Sequence, residues 1–379
     1  MKKAAFGGLT AALFLIPFTA GAETADVETE GDKEEYLVQF DGPAEAGLMN
    51  AFGVEDEDVL YEYDYLPVNL VELTDSQAEA LEDHPHVAAL DENAEVTTLQ
   101  DIPYGIESVQ GVQAQELGFR GDGMDVAILD TGIDINHEDL AANVQGGFSV
   151  FSDSANSNPF SDGNGHGTHV AGTVAAVDND LGVLGVAPDA DLHAVKVLSN
   201  DGSGSLDGIA RGIEWSIEND MDIINMSLGG ASGSSVLENF TDLAYDEGIL
   251  VVAAAGNDGK GMGFFDTVGF PAQYESAMAV AAVDENNNTA SFSSAGPAVE
   301  ISAPGVNVLS TVPGNGYDAL NGTSMAAPHV AGVAAQVWQA KPHLSNVQLR
   351  QLLNDTAEPL GAQRDYGNGL IQSVDAINQ

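Results

Sequence analysis

The chain has 379 residues, 44% of them hydrophobic, which is more than one domain usually holds and ample for a sizeable core. It contains no cysteine, so disulfides, a thiol nucleophile and Cys-ligated zinc are excluded. Against 59 Asp and Glu stand 10 Lys and Arg, a formal charge of -49 that repels nucleic acid and anionic membranes alike.

Met1-Lys2-Lys3, the apolar stretch from Ala4 to Phe18 and the small-residue site Ala20-Gly21-Ala22 read as a signal peptide, residues 1-22, cleaved before Glu23. A membrane anchor is the alternative, and the run is short for one and broken by Gly7, Gly8 and Pro17. Residues 23 to 33 are acidic, small and polar, a lead-in without a core of its own. Strand-like runs follow at Tyr36 to Phe40, Val59 to Tyr65 and Asn69 to Leu73. A helix is predicted from Asp75 to Glu82 with Thr74 as N-cap, and the alternation at Val87 to Leu90 completes a small α+β domain.

From Gln100 onward the pattern changes. Short apolar runs at Asp125 to Leu129, Leu192 to Leu198, Ile223 to Met226 and Ile249 to Ala254 alternate with helical stretches at His166 to Val177, Leu206 to Asn219 and Val236 to Glu247. Near-continuous apolar strands separated by helices imply a mostly parallel, doubly wound α/β sheet covered on both faces. In such sheets the ligand crevice lies beyond the carboxyl ends of the strands, where Asp130 falls.

Asp130 closes the run Val126-Ala127-Ile128-Leu129, and Thr131-Gly132 makes a tight exit. His166 opens a helix in Asn164-Gly165-His166-Gly167-Thr168-His169. Ser324 opens another that runs to Ala340, with Pro328 tolerated in its first turn. A serine is a weak nucleophile until an imidazole takes its proton, and that imidazole needs a buried acid to hold its tautomer. At a helix start the serine also offers its own backbone N–H to a developing oxyanion. A second donor is wanted there, and in Ala253-Ala254-Ala255-Gly256-Asn257 an asparagine follows an apolar strand and a glycine, which alone reads as a turn. His169 and His329 read as structural, and the His166/His169 spacing lacks the i, i+4 pattern and glutamate of a zinc site. Met325, beside the serine, reads as an exposed thioether open to oxidation. An extended peptide would lie between Ser227-Leu228-Gly229 and Gly202-Ser203-Gly204, bound by main-chain hydrogen bonds.

The chain order Asp, His, Ser belongs to one of three unrelated triad arrangements. On these motifs the chain resembles the subtilisin (subtilase) family of secreted serine protease precursors, weakly from Glu34 and closely from Gln100 to the C-terminus. The resemblance implies that residues 23-99 are a ferredoxin-like propeptide acting as chaperone and inhibitor, and that residues 100-379 are the peptidase domain. It implies the second oxyanion donor's role for Asn257. It implies a P1 pocket lined by Gly256, Gly229 and Gly269 and an apolar P4 pocket lined by Leu206, Ile209 and Leu228, hence broad specificity favouring large apolar P1 residues. It also implies a calcium site made from side chains of Gln100, Asp139 and Asn179 and carbonyls of Val177, Leu181 and Val183, an oxygen set of the kind calcium accepts. Those pockets favour self-processing between Leu99 and Gln100, which puts Leu99 at P1 and Val96 at P4, over a cut after Thr98. The product expected is a secreted monomer acting on proteins and peptides, with no membrane attachment once the signal is gone.

Its charge suits high ionic strength, where self-repulsion is screened over ~3 Å at 1 M salt, so a halophilic or halotolerant source is expected, with a merely acidic secreted protein as the alternative. A maturation protease acting on one precursor and an acidic calcium-binding protein with an inert triad are the competing functions.

Overall fold

The computed structural model describes residues 33–42, 46–94, 100–261 and 265–379. The signal segment with its Ala22 site and the residues around Leu99 lie outside the described residues. The chain divides into two compact units, residues 1–96 and 97–379.

In the first unit the order is β1 (Glu34–Phe40), α1 (Ala46–Ala51), β2 (Val59–Glu62), β3 (Val68–Leu73), α2 (Asp75–Glu82) and β4 (Val87–Glu92). The antiparallel sheet runs β2-β3-β1-β4, the ferredoxin-like arrangement. β1 sits between two partners, and its Val38 and Phe40 join Val71, Leu73 and Leu81 in a buried core. The predicted cap of α2 is made in both directions: Gln77 N–H donates to Thr74 Oγ1 at 3.3 Å and Thr74 N–H to Gln77 Oε1 at 3.0 Å. β2 is shorter than its apolar run suggests, because residues 64–67 are spent on the turn into β3.

The second unit opens with two short helices, α3 (Tyr104–Ser108) and α4 (Gly111–Glu116). There follow β5 (Asp125–Asp130), β6 (Val144–Ser149), α5 (His166–Ala175), β7 (Asp191–Lys196), α6 (Leu206–Glu218), β8 (Ile223–Met226), α7 (Ser235–Asp246), β9 (Leu250–Ala254), β10 (Ala277–Val283) and β11 (Val299–Pro304). A hairpin, β12 (Val308–Val312) and β13 (Gly316–Leu320), leads into the long α8 (Thr323–Ala340), followed by α9 (Asn346–Asp355), α10 (Gln363–Tyr366) and α11 (Ser373–Asn378). The seven-stranded sheet is parallel throughout, in the order β11-β10-β9-β8-β5-β7-β6. β5 is where the winding changes direction, the position at which such folds place their crevice.

Side-chain alternation along β5 decides which residues meet. Val126 and Ile128 join the core that holds Val170 and Val174 of α5 and Val330 of α8, whereas Ala127 and Leu129 join Ile213 of α6 and Leu237 of α7. Asp130 keeps the parity of Val126 and Ile128, so it emerges on the face covered by α5 and α8.

Between those two helices lie two neutral histidines. His169 Nε2 donates to the carbonyls of Val308 at 3.0 Å and Asp318 at 3.2 Å, and His329 Nδ1 donates to Met325 O at 2.8 Å. Their second nitrogens, His169 Nδ1 and His329 Nε2, are buried without a partner among the described residues. A Cβ at Gly105 would stand 2.2 Å from His329 Nε2, so only glycine fits there. Burial pushes both imidazoles down to about 4, His329 with a further contribution from His169. An unfolded histidine takes its proton near 6.5, so between 6.5 and 4 the unfolded chain binds more protons and stability falls as pH drops. In a Ser324→Ala background, the melting temperature should decline across that window, and His329→Gln should make the decline shallower; equal slopes would reject the assignment.

Candidate active site

The carboxylate of Asp130 is completely buried. Its Oδ1 accepts from Thr131 N–H at 2.7 Å and from His166 Nδ1 at 2.8 Å, while Oδ2 has no partner among the described residues. His166 is the first residue of α5, behind Gly165 in a left-handed conformation. A Cβ on Gly167 would lie 2.2 Å from the Gly132 carbonyl oxygen, so the glycine lets α5 close on the end of β5 and bring acid and imidazole together. Burial alone would lower the His166 pKa, but the charge and hydrogen bond of Asp130, with the charge of Asp162, outweigh it and leave it above the ordinary 6.5.

Ser324 stands in the first turn of α8. Its hydroxyl donates to the Ser227 carbonyl at 3.0 Å, and Ser227 Oγ donates back to Ser324 O at 2.8 Å. In this resting arrangement the serine hydroxyl is turned to β8's end and not to the imidazole; such bonds commonly form only when substrate arrives.

Asn257 is held from one side. Its Oδ1 accepts from Thr323 N–H at 3.0 Å and Thr323 Oγ1 at 3.1 Å, and Thr323 Oγ1 in turn accepts from Gly256 N–H at 3.1 Å. With the oxygen occupied, Nδ2 has no hydrogen-bond partner among the described residues and lies 3.6 Å from where a Cβ on Gly322 would stand, two residues before Ser324. The arrangement can supply two N–H donors, that of Ser324 and Nδ2 of Asn257, to one negative oxygen.

A cleft of about 490 Å³ is lined by residues 202–206, Ile209, residues 227–230 and Phe270, together with Thr131, Asn164 and His166. Gly202, Ser203, Gly204, Leu206, Ser227, Leu228 and Gly229 therefore face one space. Gly256 and Gly269 lie outside that lining but adjoin it: Gly269 N–H donates to Ala255 O at 2.9 Å, and a Cβ on Gly269 would sit 3.2 Å from the carbonyl of Gly230.

Residues 121–369 match the family model described as Subtilase family. The chain is a subtilase. It is 49% identical to alkaline elastase YaB of Bacillus sp. (strain YaB), over 97% of both chains. It is 51% identical to a thermostable alkaline protease of Halalkalibacterium halodurans, over 90% of this chain and 91% of that one. Subtilisin DY of Bacillus licheniformis is 53% identical over 74% of this chain and all of its own length. This subtilase is thus a serine endopeptidase of the subtilisin type.

The residues expected to hold calcium are gathered. Carbonyls of Val177 and Val183 both accept from the Gln100 side-chain amide, at 2.6 and 3.0 Å. Asp139 accepts from Asn179 Nδ2 at 3.1 Å and Val183 N–H at 2.9 Å, and Asn179 Oδ1 accepts from Leu181 N–H at 3.0 Å. A Cβ on Gly182 would fall 2.3 Å from Asp139 Oδ2, so only glycine lets this loop close on the acid. Among the described residues no group of three or more His, Cys, Asp or Glu is placed for a metal. This set instead has one carboxylate and neutral carbonyl and amide oxygens, and a half-turn of the Gln100 amide presents oxygen in place of nitrogen, so the donors fit a hard cation.

Met325 differs from expectation: it is 2% exposed and belongs to the core that holds Val170 of α5 and Val330 of α8. Sequence reasoning also passed over Thr323, which fixes Asn257, and Asp162 and Lys196, two buried charges beside the triad. The signal for Lys196 was a lone cation inside an apolar strand.

The His166 imidazole, followed by NMR in the Ser324→Ala protein, should titrate above 6.5 and drop below that value in Asp130→Asn; an unchanged midpoint would reject the role given to Asp130.

Proposed function

We propose that this subtilase is a secreted, calcium-stabilised endopeptidase of broad specificity, large apolar P1 residues favoured, made as a self-processing zymogen. The observation that carries the catalytic reading is the buried Asp130–His166 hydrogen bond beside a cleft lined by His166 and Ser227, whose carbonyl accepts from the Ser324 hydroxyl. In this reading Ser324 Oγ attacks the peptide carbonyl while His166 Nε2 takes its proton. Asp130 holds Nδ1–H and stabilises the imidazolium. The carbonyl oxygen, now negative, receives hydrogen bonds from Ser324 N–H and Asn257 Nδ2. The imidazolium then gives its proton to the leaving amine, and water, activated in the same way, releases the acyl group and restores the serine.

In this reading Gly202, Ser203, Gly204, Ser227, Leu228 and Gly229, which line the cleft, take an extended peptide, Gly229, Gly256 and Gly269 form the P1 pocket, and the half-exposed Leu206 with Ile209 and Leu228 offers an apolar P4 wall. Residues 1–22 would direct export, and the leading domain would serve as chaperone and inhibitor until cleavage between Leu99 and Gln100. That boundary is supported by Subtilisin DY, matched along its whole length over 280 residues, the length of the stretch from Gln100 to Gln379. A neutral His166 is needed for attack, so work on the alkaline side of its raised pKa is favoured, in keeping with the names of the relatives. The charge of -49 supports operation at high ionic strength.

Intact mass and casein hydrolysis of the secreted protein beside Ser324→Ala test the core of this reading. The parent should lose its first 99 residues and digest casein, and the variant should stay at precursor length and be inert; trimming of the variant would show that another protease does the cutting.

Calcium, when bound, would add a positive centre linking Gln100 to residues 177–183 and Asp139. Calcium at about a thousandfold its Kd adds ~4 kcal/mol, so chelation should lower the melting temperature by roughly 10 °C. Asp139→Asn should remove most of that calcium dependence, and a calcium response equal to wild type would move the site elsewhere.

A further inference from the structure

Lys196 is the bulkiest of the fully buried side chains among the described residues, in a protein with only 10 Lys and Arg. It ends β7 directly beside Asp130 in the parallel register, on the same face of the sheet as Leu192 and Ala194. Its ammonium donates to the Thr131 carbonyl and, at 3.0 Å, to Asn200 Oδ1. Burying an ammonium is costly unless it is paired and hydrogen-bonded, so its place in the site calls for a partner of opposite charge.

Asp162, also buried, answers it across Thr131. Its Oδ1 accepts from Thr131 Oγ1 at 2.9 Å, Asn164 N–H at 3.0 Å and Gly165 N–H at 2.9 Å. Its Oδ2 accepts from the N–H and hydroxyl of Thr168 at 2.9 and 2.8 Å. Gly167 N–H closes the circuit by donating to Thr131 Oγ1 at 2.9 Å. The residue after Asp130 is therefore tied to Lys196 through its carbonyl and to Asp162 through its hydroxyl, and residues on both sides of His166 hang from Asp162 and Thr131.

We propose that Lys196 and Asp162 are positioning residues for the Asp130–His166 couple, a buried pair of opposite charges bridged by Thr131 that fixes the couple's geometry and balances its charge. The charged groups that act on the imidazole are Asp130 from β5 and Asp162 from the loop before α5, with neutral His169 further along α5. Lys196 from β7 acts on those two carboxylates and on Asp153, and α8 brings the neutral Ser324. Two carboxylates alone would hold the His166 proton too firmly for a base at neutral pH. Lys196 offsets one of them, and although burial lowers its own pKa, Asp162, Asp130 and Asp153 favour its charged form. The proposal rests on the reading of His166 as the base.

The test compares mature wild type with Lys196→Met, Lys196→Arg and Asp162→Asn, each read by kcat/KM against pH on a small chromogenic peptide, by the NMR titration of His166 and by melting temperature. Lys196→Met should raise the acid-side midpoint by roughly half to one pH unit and lower kcat at neutral pH roughly tenfold with KM little changed. Lys196→Arg should return the midpoint towards wild type, and Asp162→Asn should shift it in the opposite direction. Midpoints unmoved in Lys196→Met and Asp162→Asn, with only the melting temperature lowered, would overturn the proposal and leave both residues as parts of the scaffold. If Lys196→Met does not fold, Asp162→Asn decides by the same measure. The NMR midpoint separates the two readings: wild type inert on peptide would sink His166 as base, whereas the imidazole titration would still respond to these charges.

Discussion

Everything in the second unit is arranged around one buried carboxylate. Asp130 has no access to water, and one of its oxygens is satisfied only by Thr131 N–H and the His166 ring. Such a group is tolerable only where donors and positive charge are delivered to it. β5 is the strand about which the winding reverses, so helices from both directions can reach its carboxyl end. α5 comes close because Gly167 has no side chain, and α8 arrives on the same face by the alternation of β5. The triad is thus less a set of three residues than the meeting point of three elements.

Much of this was legible in the chain. The apolar strands at Asp125 and Ile223, the helices opening at His166 and Leu206, and the cap at Thr74 fall within a residue or two of where the sequence pattern sets them, because period and punctuation agree there. β6 was hidden by Gly146 and Gly147, which dilute its apolar run. Those glycines are required by closeness: a Cβ on Gly147 would stand 2.6 Å from the Ala194 carbonyl oxygen. β10, the run Ala277 to Val283, was passed over because alanine-rich apolar segments carry no period that separates strand from helix.

The candidate site divides in the same manner. Residues that carry chemistry stand in short motifs and could be found one by one. Residues that hold them could not, since their partners are distant in sequence: Thr323 grips Asn257 across 66 positions, and Lys196 reaches Thr131 across 65. The burial of Met325 escaped for a related reason, because nearness to a nucleophile along the chain says nothing about which side of a helix faces solvent.

The two neutral histidines between α5 and α8 have a consequence for the molecule as a layered object. Its exterior carries a large excess of carboxylates, and acid relieves their mutual repulsion by protonating them. Its interior answers acid in the reverse sense, since proton uptake there would place charge where carbonyls have already claimed one nitrogen of each ring and the other has no partner. Skin and core therefore have opposing preferences on the acid side, and agree only where the histidines stay uncharged.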